Sequence, residues 1–197
     1  RRDPPAARPP CARLPMPAPG APLPVPWVLQ TLADQRAPGS IVAEEAPSAR
    51  APMQAHLPML QSGTFFTMCS GGLGWSLPAA VGVALAQPGA RVIALIGDGS
   101  AMYAIQALWT AAQGRLPITV LILNNRRYAA LQDFAPVFGY PPGADVAGTA
   151  LPGLDFVALA AGHGVPGVRV DQADALADVL AAALQSAGPV LVEIMVA

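Results

Sequence analysis

The sequence has little charge, no lysine and only two cysteines, and these shortages exclude several classes of protein. Charged residues make up 12% of the chain, and the formal net charge of -1 offers no basic surface for nucleic acid. Cys11 and Cys69 form neither a metal-binding spacing nor a disulfide framework, which fits a reduced, cytoplasmic protein. No stretch reaches the roughly 18 uninterrupted apolar residues of a membrane helix. We therefore expect a globular protein that binds neither nucleic acid nor membranes.

The shortage of charge is most severe between residues 57 and 125, where only Arg91, Asp98 and Arg115 are charged. A parallel sheet that is buried on both faces accounts for the apolar strands of this region. It does not account for the helix predicted over Ala101–Gln113, which is apolar on several sides. We infer a large interface with another domain or subunit, and we expect a homo-oligomer.

The N-terminal segment differs from the rest of the chain. Residues 1–26 contain ten of the 23 prolines, which excludes regular helix or sheet and predicts a polyproline-type linker. No apolar core follows Arg1-Arg2, so a signal peptide is disfavoured. Because the chain also begins without methionine, we interpret residues 1–26 as a linker between domains of a longer protein, and residues 27–197 as one domain.

Strands alternate with helices from residue 27 onward, which predicts a doubly wound, three-layer α/β/α domain with a mainly parallel sheet of about six strands. The predicted strands are Ser40–Glu44, Thr64–Thr67, Arg91–Ile96, Ile118–Leu123, Gly167–Val170 and Val190–Val196. The predicted helices are Val25–Gln35, Ala49–Leu60, Leu73–Ala86, Ala101–Gln113, Tyr128–Phe134, Asp155–Gly162 and Ala173–Ser186. A loop rich in proline and glycine is expected over Gly139–Gly153.

The strand–helix–strand unit over residues 93–125 carries most of the functional information. Its first strand ends in Gly97-Asp98-Gly99-Ser100, and its second ends in Asn124-Asn125 after 24 intervening residues, 100–123. The carboxyl ends of parallel strands meet at one edge of the sheet, where open α/β sheets bind ligands. A carboxylate and a carboxamide there, beside a helix N-terminus, suit a hard cation that carries a diphosphate.

Each half of this pattern also has a structural explanation. Gly-Asp-Gly is common in hairpins, although here a helix follows instead of a strand. Asp98 as a helix cap is an alternative, and two asparagines at a strand end also begin turns. Against this, Gly97 and Gly99 allow close approach of a ligand, while Gly99 and Ser100 offer N–H groups to phosphate. The combined spacing favours ligand binding.

The two motifs resemble the signature of the thiamine-diphosphate-dependent enzymes. From about Val28 to the C-terminus, the chain is most similar to the C-terminal, diphosphate-binding domain of benzoylformate decarboxylases. The resemblance implies a Mg²⁺ ion bound by the Asp98 carboxylate, the Asn125 side-chain oxygen and the Arg127 main-chain carbonyl. Two diphosphate oxygens and a water would complete about six ligands. Arg126 departs from the family, in which a small residue often follows the asparagine pair.

A second motif, Gly71-Gly72-Leu73-Gly74, precedes a predicted helix. By resemblance, Gly71 accepts a hydrogen bond from the cofactor's aminopyrimidine through its carbonyl, Gly72 belongs to the same loop, and Leu73 wedges beneath the bent cofactor. A flexible loop with Leu73 in the core is the alternative. The counterpart of Ser48 contacts the cofactor phosphate, although Ser48 as an N-cap before Ala49 is equally compatible with the sequence.

The segment Tyr128–Phe134 carries the substrate prediction. The resemblance assigns Tyr128 to the cofactor, and Ala130, Leu131 and Phe134 to an aryl pocket. Helical spacing places Ala130 and Phe134 on one face, a pattern that core helices also show. The glutamate that activates the cofactor in this family lies in its pyrimidine-binding domain. The resemblance therefore implies no catalytic residue in this chain, and a partner domain from the same or another subunit.

The leading interpretation is the cofactor-binding domain of a non-oxidative decarboxylase of 2-oxo acids, a thiamine-diphosphate-dependent carboxy-lyase. One alternative is a carboligase resembling acetolactate synthase, which shares this domain. Another is an enzyme in which the glutamate resides on a separate subunit. A third is a diphosphate- or nucleotide-binding module without turnover, although Asn124-Asn125 occupies the place of a ribose-binding acidic residue.

Overall fold

The computed structural model describes residues 11–197. Six parallel strands form one sheet in the order β2-β1-β3-β4-β6-β5. The strands are β1 (Ile41–Glu45), β2 (Phe65–Thr67), β3 (Val92–Gly97), β4 (Ile118–Asn124), β5 (Gly167–Val170) and β6 (Val190–Met195). All pairs in the sheet are parallel, so the predicted doubly wound α/β fold is confirmed.

Within residues 11–197, eight α-helices connect and cover the strands. They are α1 (Val25–Gln35), α2 (Arg50–His56), α3 (Ser76–Ala86), α4 (Asp98–Ala101), α5 (Ala107–Gln113), α6 (Ala129–Phe134), α7 (Phe156–Gly162) and α8 (Ala173–Gln185). Single turns of 3₁₀ helix precede α2 at Pro47–Ala49 and follow α6 at Ala135–Phe138. In the described residues no helix is long and apolar enough to span a membrane.

Two apolar cores lie on the two faces of the sheet. Helices α1, α2 and α8 pack on one face, and α3, α5 and α7 pack on the other. Strand β3 shows why its sequence is apolar throughout: Ile93 and Leu95 point into the first core, whereas Ala94 and Ile96 point into the second. Alternate side chains of a strand face opposite sides, so a central strand covered on both sides needs apolar residues at every position.

The strand order reverses between β1 and β3. The chain passes from β1 outward to β2, returns to β3 on the other side of β1, and continues to β4. The connections on either side of this point therefore diverge, which leaves a crevice beyond the carboxyl ends of β1 and β3. Gly97-Asp98 lies at this crevice, and Asn124-Asn125 ends the adjacent strand β4.

Three predicted helices are wrong in their extent. The helix predicted over Ala49–Leu60 ends at His56, because Pro58 disfavours the helical conformation of Leu57. The helix predicted from Leu73 begins only at Ser76, because Gly74 takes a left-handed φ of +95°. The helix predicted over Ala101–Gln113 is interrupted between α4 and α5, where N–H groups bond to the third preceding carbonyl instead of the fourth. An example is Tyr103, whose N–H donates to the Ser100 carbonyl at 3.2 Å.

Part of the predicted linker contacts the domain. The backbone of Leu14 exchanges two hydrogen bonds with the Gln30 side chain of α1, at 2.8 and 3.0 Å. Leu23 is fully buried and forms a parallel bridge with Val196. Residues 1–10 lie outside the described residues, and the assignment of residues 1–26 as an interdomain linker stays a prediction.

Candidate cofactor site

Asp98 is the charged centre of the crevice. It follows β3 directly and its side chain is buried. One carboxylate oxygen accepts the Gly99 N–H at 2.8 Å, and the other accepts the Arg127 N–H at 3.2 Å. Burial raises the pKa of Asp98, an effect that these backbone hydrogen bonds oppose. Among the described residues no Arg or His forms an ion pair with it.

The two asparagines at the end of β4 have different surroundings. Asn124 is buried, and its amide group donates to the fully buried Glu193 carboxylate at 2.6 Å. Its oxygen accepts the Arg126 N–H at 2.9 Å. Asn125 is only half-buried, and its oxygen accepts the Arg127 N–H at 3.2 Å. Asn124 therefore holds the turn, whereas Asn125 is directed toward the crevice.

The turn after β4 brings the predicted metal ligands together. Arg126 has a left-handed φ of +59°, which reverses the chain sharply. The Arg127 N–H then lies 3.2 Å from an Asp98 oxygen and 3.2 Å from the Asn125 oxygen. A bridge to Ala150 fixes the outer side of the turn through the Arg126 carbonyl and the Tyr128 N–H, and leaves the Arg127 carbonyl unused.

Two adjoining cavities lie at this edge of the sheet. The small cavity, about 180 Å³, is lined by Ser48, Asp98, Asn125 and Arg127 among others. The large cavity, about 530 Å³, shares Ser48, Asp98 and Arg127 with it. The remaining walls of the large cavity include Gly71, Leu73, Gly99, Ser100, Tyr103, Tyr128, Ala130 and Leu131. The small cavity thus holds the predicted metal ligands, and the large one has mainly uncharged walls.

Most of the predicted site residues line these cavities, but not all. Ser48 lies in the 3₁₀ turn and makes no capping hydrogen bond to α2, so the N-cap explanation is excluded. The Gly99 N–H is already bonded to Asp98, contrary to the expectation that it is free for phosphate. Gly72 does not line either cavity, nor does Phe134, whose ring is exposed and packs edge-on against Phe138.

A comparison with protein families matches the part of the chain that contains the crevice. The family described as "Thiamine pyrophosphate enzyme, C-terminal TPP binding domain" matches residues 48–194, which include all the cavity-lining residues named above. The chain belongs to this family. Its cofactor, thiamine diphosphate, carries the diphosphate that the sequence pattern predicts, so the predicted resemblance and cofactor are confirmed.

Individual members of the family resemble the chain over part of their length. Benzoylformate decarboxylase from Pseudomonas aeruginosa is 45% identical over 157 residues, which cover 79% of this chain and 29% of that protein. Acetolactate synthase isozyme 2 large subunit from Escherichia coli is 28% identical over 179 residues, or 90% of this chain and 32% of that protein. The chain thus spans about a third of these curated relatives.

A solved structure shows the same fold with a related sequence. The thiamine diphosphate-dependent 4-hydroxybenzoylformate decarboxylase from Rhodococcus jostii RHA1 superposes with a TM-score of 0.89 at 35% identity. The superposition covers 99% of this chain and 36% of the other chain. The similarity to benzoylformate decarboxylases that the sequence predicts is therefore confirmed.

The crevice residues fit the cofactor of the thiamine pyrophosphate enzymes. In the described part of the chain no three His, Cys, Asp or Glu side chains cluster around a possible metal position. A cation at Asp98 would therefore depend on one carboxylate, the Asn125 amide oxygen and main-chain carbonyls, completed by diphosphate oxygens. These are oxygen donors, which Mg²⁺ prefers. A cation would also relieve the cost of burying the Asp98 charge without a counter-ion.

Two acidic residues of the site were not assigned a role from the sequence. Glu193 holds Asn124, as described above, and Glu45 accepts the N–H groups of Gly74 and Ser76 at 2.7 and 2.6 Å. The sequence does mark Glu193 as unusual, because it is the single charged residue in the otherwise apolar strand V-L-V-E-I-M. A charged side chain in a central parallel strand must be buried, and a buried charge needs partners.

The ring of Tyr128 leaves no room for a side chain at position 99. A Cβ atom at position 99 would lie 2.3 Å from Cε1 and 2.5 Å from Cδ1 of that ring. We expect Gly99→Ala to displace Tyr128 from the cavity wall and to destabilise the domain by about 1–3 kcal/mol. Urea unfolding of the variant and of Gly82→Ala would measure this, because no atom lies within 4 Å of a Cβ at position 82. Equal stabilities of the two variants would contradict the proposed contact.

Proposed function

We propose that this chain is the diphosphate- and Mg²⁺-binding domain of a thiamine-diphosphate-dependent decarboxylase of aryl 2-oxo acids. The observation that carries the proposal is the convergence of the Asp98 and Asn125 oxygens on the Arg127 N–H, at the border between the two cavities. The whole enzyme would be a carboxy-lyase. Thiamine diphosphate, when bound, supplies the electron sink that the loss of CO₂ requires.

The residues of this chain would bind and orient the cofactor. Asp98, Asn125 and the Arg127 carbonyl would hold Mg²⁺, which in turn holds the diphosphate in the small cavity. Ser48, which lines both cavities, would add a hydrogen bond to it, and Ser100 would do so from the side of the large cavity. The large cavity would receive the organic part of the cofactor against Gly71, Leu73, Gly99 and Tyr128, with Gly72 in the same loop. The residue that activates the cofactor would come from the pyrimidine-binding domain of the same or another subunit.

One wall of the substrate pocket would be formed by α6. Ala130 and Leu131 line the large cavity and add no charge to it. Phe134 lies one helical turn beyond Ala130 and is exposed in this chain, so its place in an aryl pocket depends on a partner surface. A benzoyl ring would gain free energy from burial against this wall, whereas Ala130 and Leu131 offer a second carboxylate no group to replace its hydration.

The substrate prediction can be checked on the intact enzyme. We expect kcat/KM for benzoylformate to exceed that for pyruvate by about tenfold or more, since even one methylene in an apolar pocket discriminates about 10–200-fold. 2-Oxoglutarate should be the poorest substrate of the three. If 2-oxoglutarate were preferred, the guanidinium group of Arg126, or that of Arg127, which already lines the large cavity, would have to face the substrate, and the aryl assignment would be wrong.

A carboligase is the second candidate, because an acetolactate synthase subunit aligns with 90% of this chain. The metal and diphosphate residues serve either reaction, so the two candidates differ in the fate of the substrate. Incubation of the intact enzyme with pyruvate alone would distinguish them: acetolactate as the main product favours the carboligase, and slow formation of acetaldehyde favours the decarboxylase.

We also propose that helices α5 and α6 contact a partner domain or a second copy of the chain. Large apolar side chains are exposed on and beside them, including Tyr103, Trp109, Leu131, Val137 and Phe138. Contiguous apolar surface on a folded domain marks interaction sites. The family consists of enzymes acting on small molecules, and burial of this surface in a homo-oligomer would account for the low charge of residues 57–125.

A further inference from the structure

The carboxylate of Glu45 ties the loop Gly71–Gly74 to the end of β1. One oxygen accepts the Gly74 N–H at 2.7 Å, and the other accepts the Ser76 N–H, the first of α3, at 2.6 Å. The Glu45 side chain is 1% exposed. No Arg or His of the described residues pairs with it. These two hydrogen bonds are therefore the interactions that compensate for burying its charge.

The loop that Glu45 holds forms part of the large cavity. Gly71 and Leu73 line that cavity but not the small one. Gly74 is confined as well, since a Cβ there would lie 3.0 Å from the Tyr103 Cβ. With φ values of +78° at Gly71 and +95° at Gly74, the loop backbone has no regular structure that would fix it. Its position depends on contacts such as those with Glu45.

We propose that Glu45 is a positioning residue for the organic part of the cofactor. Its carboxylate fixes Gly74 and Ser76, and thereby sets where the Gly71 backbone and the Leu73 side chain stand on the wall of the large cavity. This inference rests on the proposed function. It assigns Glu45 no part in holding the metal or the diphosphate, which occupy the small cavity.

Glu44 offers a matched control on the same strand. It is also 1% exposed, but its carboxylate bonds to the Ala46 N–H at 2.6 Å, to Arg50 at 3.2 Å and to the Thr67 hydroxyl at 2.7 Å. Adjacent strand residues face opposite sides of the sheet, so Glu44 makes none of its bonds with the Gly71–Gly74 loop. A buried carboxylate can thus be altered beside Glu45 without touching that loop.

The test compares Glu45→Gln and Glu44→Gln in the intact protein. Calorimetry with Mg²⁺ would measure the Kd of thiamine diphosphate and, separately, of inorganic diphosphate, which lacks the organic rings. Glu45→Gln can accept only one of the two N–H groups, so we expect thiamine diphosphate to bind roughly 10- to 100-fold more weakly. The Kd of inorganic diphosphate should be unchanged, and Glu44→Gln should change neither affinity.

Amide hydrogen exchange reports on the loop without any cofactor. In Glu45→Gln the amides of Gly74 and Ser76 should exchange faster than in the wild type, while in Glu44→Gln they should not. If Glu45→Gln fails to fold, the same pattern is expected of Glu45→Asp, which keeps the charge but shortens the reach. Unchanged binding of thiamine diphosphate, or equal weakening of both ligands, would overturn the proposal. If the wild type bound neither ligand, the proposed function would fail, and the exchange rates alone would decide whether Glu45 holds the loop.

Discussion

Asp98→Ala is expected to abolish the metal-dependent binding of thiamine diphosphate by the intact protein. Among the described residues, Asp98 is the sole carboxylate that contacts the Arg127 N–H at the meeting point of the predicted ligands, so its loss would leave Mg²⁺ with only neutral donors from the protein beside the diphosphate oxygens. Changes to groups that merely support a metal ligand cost about 10–100-fold in affinity, and removal of the ligand itself should cost at least about 100-fold. Calorimetry in the presence and absence of Mg²⁺ would measure this, and an unchanged Kd would refute the site.

Asp98→Asn serves as the control for folding. Burial raises the pKa of Asp98 above its ordinary value of 3.8, so the folded state disfavours the ionised form. The free energy of unfolding should therefore fall as the pH rises from about 3.8 through the raised pKa, because the folded state must then bury a charge. In more acidic solution the carboxyl is protonated in both states and has no such effect. The Asn variant lacks this charge but can accept only one of the two N–H groups, so without metal its stability should vary less with pH across this range than that of the wild type. Thermal unfolding across this pH window would check the sign.

Substitution by alanine should affect the stability of the protein much more at Asn124 than at the neighbouring Asn125. Asn124→Ala removes one of the two side-chain donors of Glu193, which has no exposed surface, and leaves Arg169 at 2.8 Å as the other. It also leaves the Arg126 N–H without its acceptor. Leaving a buried carboxylate partly unpaired should lower the free energy of unfolding by about 2–4 kcal/mol. Asn125→Ala removes one 3.2 Å bond of a half-buried side chain, and should cost less than about 1 kcal/mol.

At Asn125 the main effect of the substitution should be on metal-dependent binding of the cofactor. We expect Asn125→Ala to weaken Mg²⁺-dependent binding of thiamine diphosphate by at least about tenfold, because it removes a ligand and not a support. Chemical unfolding and calorimetry on both variants would separate the two roles. If Asn125→Ala unfolded as easily as Asn124→Ala and still bound the cofactor normally, Asn125 would hold the turn and would not be a metal ligand.

The fold and most of the site follow from local patterns in the sequence. Apolar strands with short polar endings fix both the parallel sheet and the edge at which Asp98 and Asn125 meet. Likewise, helix α1 is found at its predicted bounds, Val25–Gln35. These features depend on periodicity and on the chain order of neighbouring elements, which a sequence displays directly.

What the sequence does not show is which buried polar groups become partners. Glu193 and Asn124 are 69 residues apart, and only the pairing of β4 with β6 brings them together. The same holds for Glu45, which binds the N–H groups of Gly74 and Ser76 ahead of and at the start of α3. Such contacts depend on the register between strands and on the course of loops, and no local pattern encodes them.

The two edge strands of the sheet limit how copies of this chain can associate. The outermost strands, β2 and β5, contain three and four residues, and Arg169 of β5 places a charge on that border. Short borders expose few unpaired N–H and C=O groups, and the charge on β5 adds to the hindrance against joining sheets from different molecules into one continuous ribbon. Contacts between chains should therefore be made by side chains of the covering helices, which limits aggregation through strand addition while the protein assembles.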